Sequence, residues 1–241
     1  MAVVSVPNFQ DLILFENDRI IVIDKPSGMA SLDDKDGANL QQIARDYDPE
    51  LRLCHRLDKL TSGTLILAKD AEAYRDMSLQ FQYRKVHKYY LALVAGVHHY
   101  QDHEIDLSLH VTTNKKVYVS KFDGKPASTI VNTVRAFRSY TLLRCEPVTG
   151  RMHQIRVHLS AQGCPIVGDE LYGGKDLFLS SIKRKFKPST TRDERPLNHG
   201  FLLHASAVSF QLPESEESIT VEAELPKNFA VVMKQLEKND R

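Results

Sequence analysis

The stretch Cys54-His55-Arg56-Leu57-Asp58-Lys59-Leu60-Thr61-Ser62-Gly63, running straight into Thr64-Leu65-Ile66-Leu67-Ala68-Lys69, constrains the fold more than any other part of the chain. A small-residue turn leads directly into an apolar strand, so the turn has to sit at the start of a core element. Asp58 is then held on a rigid support, which is where a protein places a reacting carboxylate. The ordinary reading is that Asp58 bends the turn through its own side chain, with Arg56 as a surface partner. The triplet Arg56-Leu57-Asp58 does not choose between these by itself.

Upstream, the β-branched run Ile20-Ile21-Val22-Ile23 stops at Asp24-Lys25-Pro26-Ser27-Gly28, where Pro26 cannot donate to a ladder and Gly28 can take a positive φ. A strand is expected to end there in a tight turn. Downstream, Tyr74, Met77 and Phe81 recur at helical spacing, which predicts a helix over 71–83 that buries this face. Tyr89 to Ala95 reads as a buried strand bounded by Gly96.

The middle of the chain, His98 to Lys125, is polar and weakly periodic except at Val117 to Val119, and reads as hairpins or loops without catalytic residues. Two strands follow, Ala127 to Phe137 and Tyr140 to Cys145, and Pro147 to Arg151 breaks the sheet. Met152, Ile155 and Leu159 then mark a short helix, with Gly163 and Pro165 past its end. A strand formed by Leu203-His204-Ala205 and the alternating Ala207 to Leu212, another at Ser218 to Ala223 and an amphipathic helix at Asn228 to Leu236 close the chain.

Three of these segments resemble, in order, the motifs of the RluA family of RNA pseudouridine synthases. They are Asp24-Lys25-Pro26-Ser27-Gly28; then His55-Arg56-Leu57-Asp58 with Thr61-Ser62-Gly63 and Ala68-Lys69; then Thr149 to Leu159 with Gly163 to Asp169 and Tyr172-Gly173. Lys88-Tyr89-Tyr90-Leu91-Ala92 is similar to the family's Lys-x-Tyr-x-Ala element. The resemblance implies an α+β fold: a large mixed, mainly antiparallel bent sheet with a central catalytic cleft and flanking helices, forming one catalytic domain over 1–241.

It also implies the activity, isomerisation of uridine to pseudouridine in ribosomal RNA or tRNA by base flipping. Asp58 would be the essential aspartate, Arg156 would approach it and keep it ionised, and Tyr90 would lie against the target base, with Tyr89 as a competitor. Arg56 would enter the space left by the flipped uridine, with His55 beside it at the RNA. The first motif would shape the cleft. With a strand already at Ile20, the S4-type RNA-binding domain carried by many relatives is not expected.

Composition sets the remaining bounds. At 241 residues and 42 % hydrophobic content the chain can bury a substantial core. It has no apolar run long enough to span a bilayer and no signal-peptide pattern, so a cytoplasmic protein is expected; it is also expected to be a monomer. Cys54, Cys145 and Cys164 lack zinc or disulfide spacing and should be reduced. His153 and His158 are not spaced as zinc ligands on a helix, and no phosphate-binding glycine loop or Gly-x-Ser-x-Gly occurs.

No metal, nucleotide cofactor or membrane partner is therefore called for; the expected partner is RNA. Net charge is only +1, yet cations cluster at Arg84 to Lys88, at Lys115 to Lys125 and at Lys183 to Arg195. In the third cluster Lys183, Arg184 and Lys185 are candidate phosphate contacts, and Pro188 to Thr191 suggests a mobile loop. Two rivals stand beside the synthase: an RNA-binding protein that keeps the fold without activity, and a glycosidase-type enzyme, which needs two paired acids.

Overall fold

The computed structural model describes residues 7–32, 39–187 and 193–240. In chain order they form β1 (Ile13–Glu16), β2 (Ile20–Lys25), α1 (Leu40–Tyr47), β3 (Arg52–Leu53), β4 (Ser62–Ala68), α2 (Ala71–Gln82) and β5 (His87–Ala95). There follow β6 (His103–Asp106), β7 (Leu109–Val111), β8 (Val117–Val119), β9 (Ser128–Ala136), β10 (Tyr140–Pro147), α3 (Gln154–Ala161) and α4 (Leu179–Ile182). The chain closes with β11 (Leu203–Gln211), β12 (Ser218–Glu222) and α5 (Lys227–Asn239). The class is α+β with mainly antiparallel pairing, as expected. Two compact units result, one of Met1–Tyr89 with His204–Glu224 and one of Tyr90–Leu203 with Leu225–Arg241.

In the first unit β4 is buried along its whole length and has a strand on each side. β2 pairs with it antiparallel from Ile20↔Ala68 to Lys25↔Gly63, and β11 pairs parallel at His204↔Ser62 and Ala205↔Gly63. Gly63 allows this approach: its φ is +108°, and a Cβ there would overlap the Ala205 carbonyl. β1 adds to β2, β3 to β4 and β12 to β11.

Asp70 caps α2 through bonds from the Glu72 and Ala73 N–H groups, 2.9 and 2.8 Å. The helix buries Ala73, Met77 and Gln80, while Tyr74 is exposed, a correction to the face expected from periodicity. Gln80 is inside because its amide exchanges two bonds with the backbone of Gln211, 2.7 and 3.1 Å, and so fastens α2 to the end of β11. Ala73 and Met77 pack with Ile20, Val22, Ile66, Val208 and Phe210.

In the second unit β10 lies between β5 and β9, and β9 also pairs with β6, all antiparallel. Phe229, Val232, Met233 and Leu236 of α5 form one core cluster with Leu93, Leu142 and Leu202. β7 and β8 form a separate hairpin whose Leu109 and Val117 pack with Val157 of α3. Among the described residues no helix is long and apolar enough to cross a membrane, and Cys54, Cys145 and Cys164 are free thiols.

Candidate active site

Asp58 opens a tight turn in which its carbonyl accepts the Thr61 N–H at 3.0 Å. The backbone on both sides of it is held by the segment that follows β2. The Ser31 hydroxyl donates to the Leu57 carbonyl at 2.9 Å and accepts the Leu57 N–H at 3.1 Å. The Gly28 N–H donates to the Lys59 carbonyl at 2.9 Å, and the Ser27 hydroxyl to that of Leu60 at 2.7 Å. Leu57, Lys59 and Leu60 are thus tied down one by one.

Lys25 is the least expected member of this cradle. It is 0 % exposed, and its ammonium donates to the carbonyls of Met29 (2.8 Å), Pro26 (3.0 Å) and Lys59 (3.2 Å). Burial pushes its pKa down to about 7, against the pull of the negative charges on Asp58 and Asp24. The Asp-Lys-Pro-Ser-Gly signature was legible as a turn, but nothing in it marks the lysine as buried.

His55 and Arg56 precede Asp58 on the same segment and face different surroundings. Arg56 is exposed. The Nε2 atom of His55 accepts the Ile66 N–H at 3.2 Å, and its ring lies 5.1 Å from that of Phe81. Burial, with Lys88 nearby, pushes the His55 pKa down to about 3. His55 is half-buried and packs between the turn and α2. Lys88, expected in a basic surface cluster, is half-buried with its ammonium 5.8 Å over the Phe81 ring, and burial lowers its pKa to about 8. Arg84, Lys85 and His87 of that cluster are exposed.

Tyr90 and Arg156 belong to the second unit. Tyr90 is buried in β5 opposite Cys145 of β10, and the half-buried Tyr89 lies on the other face of the strand. Arg156 projects from α3 into the protein, 6 % exposed. It grips Asp169 with two parallel bonds, Nε to Oδ2 at 2.7 Å and NH2 to Oδ1 at 2.8 Å. Its guanidinium carbon lies 4.3 Å from the Phe201 ring centre and 4.9 Å from that of Tyr172.

A buried guanidinium calls for a carboxylate, but that Asp169 supplies one could not be told from its place in a turn motif. Gln154, the first residue of α3, anchors the turn before it: its oxygen accepts from Thr149 Oγ1 (2.6 Å) and the Arg151 N–H (3.0 Å), and its nitrogen donates to the Ser128 carbonyl (2.8 Å) and Thr129 Oγ1 (2.9 Å). His153 takes a left-handed backbone, φ 52°, and its Nδ1 lies 2.7 Å from the Tyr172 hydroxyl.

Lys183, Arg184 and Lys185 follow α4 and are all exposed. The expected mobile loop at Pro188 to Thr191 lies outside the described residues, as does Arg192. Among the described residues no three His, Cys, Asp or Glu side chains are grouped to hold a metal ion.

Comparison with known proteins gives one answer. The family model described as RNA pseudouridylate synthase matches residues 19–161. The ribosomal large subunit pseudouridine synthase C of Vibrio vulnificus is 34 % identical over 96 % of this chain and 71 % of its own length. The dual-specificity RNA pseudouridine synthase RluA of Vibrio parahaemolyticus is 35 % identical over 84 % of this chain and 78 % of its own. The solved structure of human RNA pseudouridylate synthase domain containing 4 shares the fold, with a TM-score of 0.70 at 24 % identity, covering 95 % of this chain and 94 % of that one.

Proposed function

We propose, for a chain that belongs to the RluA family of RNA pseudouridine synthases and isomerises uridine to pseudouridine in RNA, that Asp58 is the reacting carboxylate. The observation that carries this reading is the cradle: Lys25, Ser27, Gly28 and Ser31 fasten the backbone immediately before and after Asp58. Fastening of that kind suits a residue whose position matters to within a fraction of an ångström.

The reaction breaks the C1′–N1 bond of uridine, turns the base and rejoins it through C5. Asp58 can attack the sugar carbon, take the C2′ proton or attack the base ring, and each route starts from the ionised carboxylate. Arg56, exposed two residues away, is suited to fill the space that the flipped uridine leaves. Tyr90 and Arg156 complete the proposed catalytic set: Tyr90 as the aromatic that meets the base, and Arg156 as a cation oriented by Asp169 and two aromatic faces. The chain acts as a single catalytic domain over 1–241 and as a cytoplasmic monomer, and the target uridine lies in ribosomal RNA or tRNA.

The test is Asp58→Asn, which keeps the shape and removes the charge. It should form no pseudouridine, by tritium release or carbodiimide mapping, while RNA affinity stays within about twofold of wild type. Wild-type turnover by a homogeneous sample of this variant would refute the assignment. A wild-type protein that binds RNA but modifies none would point instead to the inactive RNA-binding rival.

A further inference from the structure

The hairpin of β7 and β8 and the turn after it carry the most exposed large apolar side chain among the described residues, Phe122, at 102 % relative exposure. It stands on a fixed support. The Ser120 N–H donates to the Ser108 carbonyl at 2.9 Å, and Lys125 and Leu109 exchange backbone bonds of 2.8 and 2.9 Å. Gly124 fits so closely that a Cβ would overlap the Ser120 carbonyl and Ser108. The Asp123 carboxylate accepts from the Ser120 hydroxyl and lies 3.0 Å from Nδ1 of His110. Below the turn, Leu109 and Val117 bury the inner face of the hairpin and leave Tyr118 outside, 45 % exposed.

A phenylalanine held in water adds nothing to the stability of this fold, since its apolar surface stays hydrated. Its neighbours indicate what would cover it. Lys115, Lys116, Lys121 and Lys125 are all exposed, and none forms an ion pair with a described residue. Asp123, the next residue, is engaged within the turn by Ser120 and His110. An aromatic face already ordered, with Lys121 and Lys125 in the same turn and Lys115 and Lys116 at the other end of the hairpin, none of them ion-paired with a described residue, matches single-stranded nucleic acid: every base has a face to stack, and each phosphate can take a lysine.

We propose that the Ser120–Lys125 turn and its hairpin form an RNA-binding element that holds a nucleotide other than the target uridine, with Phe122 stacked on an unpaired base and the lysines on the flanking phosphates. This rests on the reading that the chain acts on RNA. Because the turn is pinned before binding, little ordering entropy is lost when a base docks.

The test uses the full chain with Phe122→Ala, Phe122→Trp and the double variant Lys121→Ser/Lys125→Ser. RNA affinity is measured against salt, alongside steady-state isomerisation, thermal unfolding and sedimentation. Phe122→Ala should weaken binding about tenfold with an unchanged salt slope, and Phe122→Trp should restore it. The double lysine variant should reduce the slope by about 1.4, roughly 0.7 for each phosphate that is no longer neutralised. Unfolding temperature should not move.

Wild-type affinity in Phe122→Ala, with the wild-type enzyme active, would overturn the element and leave the synthase reading intact. A wild-type dimer that Phe122→Ala splits would assign the face to a second copy and also overturn it. An inactive wild type that forms no pseudouridine in any RNA would be a failure of the underlying reading instead.

Discussion

The Arg156 guanidinium and the Asp169 carboxylate meet as a two-bonded fork inside the protein, 6 % and 2 % exposed. Removing one partner leaves the other charge buried, so Asp169→Asn or Arg156→Met should each cost on the order of 3 kcal/mol in urea denaturation. The double variant Arg156→Met/Asp169→Met removes both charges and should recover much of that loss. Isomerisation should stay low in the double variant, because restored packing does not return the cation. Full activity there would show that the fork is structural only.

Lys25 ties stability to alkaline pH. Its folded pKa of about 7 lies below the ordinary 10.5, so between those values the unfolded chain holds a proton that the folded chain has released, and stability rises with pH across that window. Lys25→Met removes this contribution. Its stability curve should be flatter than that of wild type between pH 7 and 10, by on the order of 3 kcal/mol. Parallel curves would mean that the lysine does not titrate in that range.

Three histidines act at the acid end. His204 bonds to Ser62 Oγ and the Ala223 carbonyl, His158 to Thr129 Oγ1 and the Leu107 carbonyl, and His55 to the Ile66 N–H. Burial lowers the pKa of each from its ordinary 6.5. Their stabilisation is present above that value and is lost as pH falls, because the unfolded chain then takes protons that the fold refuses. Wild type should lose stability as pH falls from 7.5 to 5.5, and His204→Gln should show a shallower loss over the same range.

Lys183, Arg184 and Lys185 supply a second comparison with RNA. Replacing all three by Ser should weaken binding at low salt and lower the salt slope by about 0.7 for each phosphate that these cations neutralise in the wild type, with little change in the rate at saturating RNA. Identical slopes for wild type and variant would show that this segment touches no phosphate.

Local elements and the order of the motifs were legible from the residues alone. Ile20–Ile23 and Tyr89–Ala95 lie in strands, and the helices at 71, 154 and 227 begin within a few residues of where their spacing and caps put them, because periodicity and turn chemistry act over a few residues. Asp58 could be singled out because its motif is contiguous. Which distant polar groups pair was settled by the three-dimensional packing. That Gln80 rather than Tyr74 turns inward depends on Gln211, 131 residues away. That Ser31 holds Leu57, that Lys25 is sealed over Lys59, that His55 accepts from the Ile66 N–H and that Asp169 faces Arg156 depend in the same way on strand register and on which groups lose water together. Local sequence carries no record of either: a lysine or histidine beside a turn reads as surface charge until the fold removes its solvent.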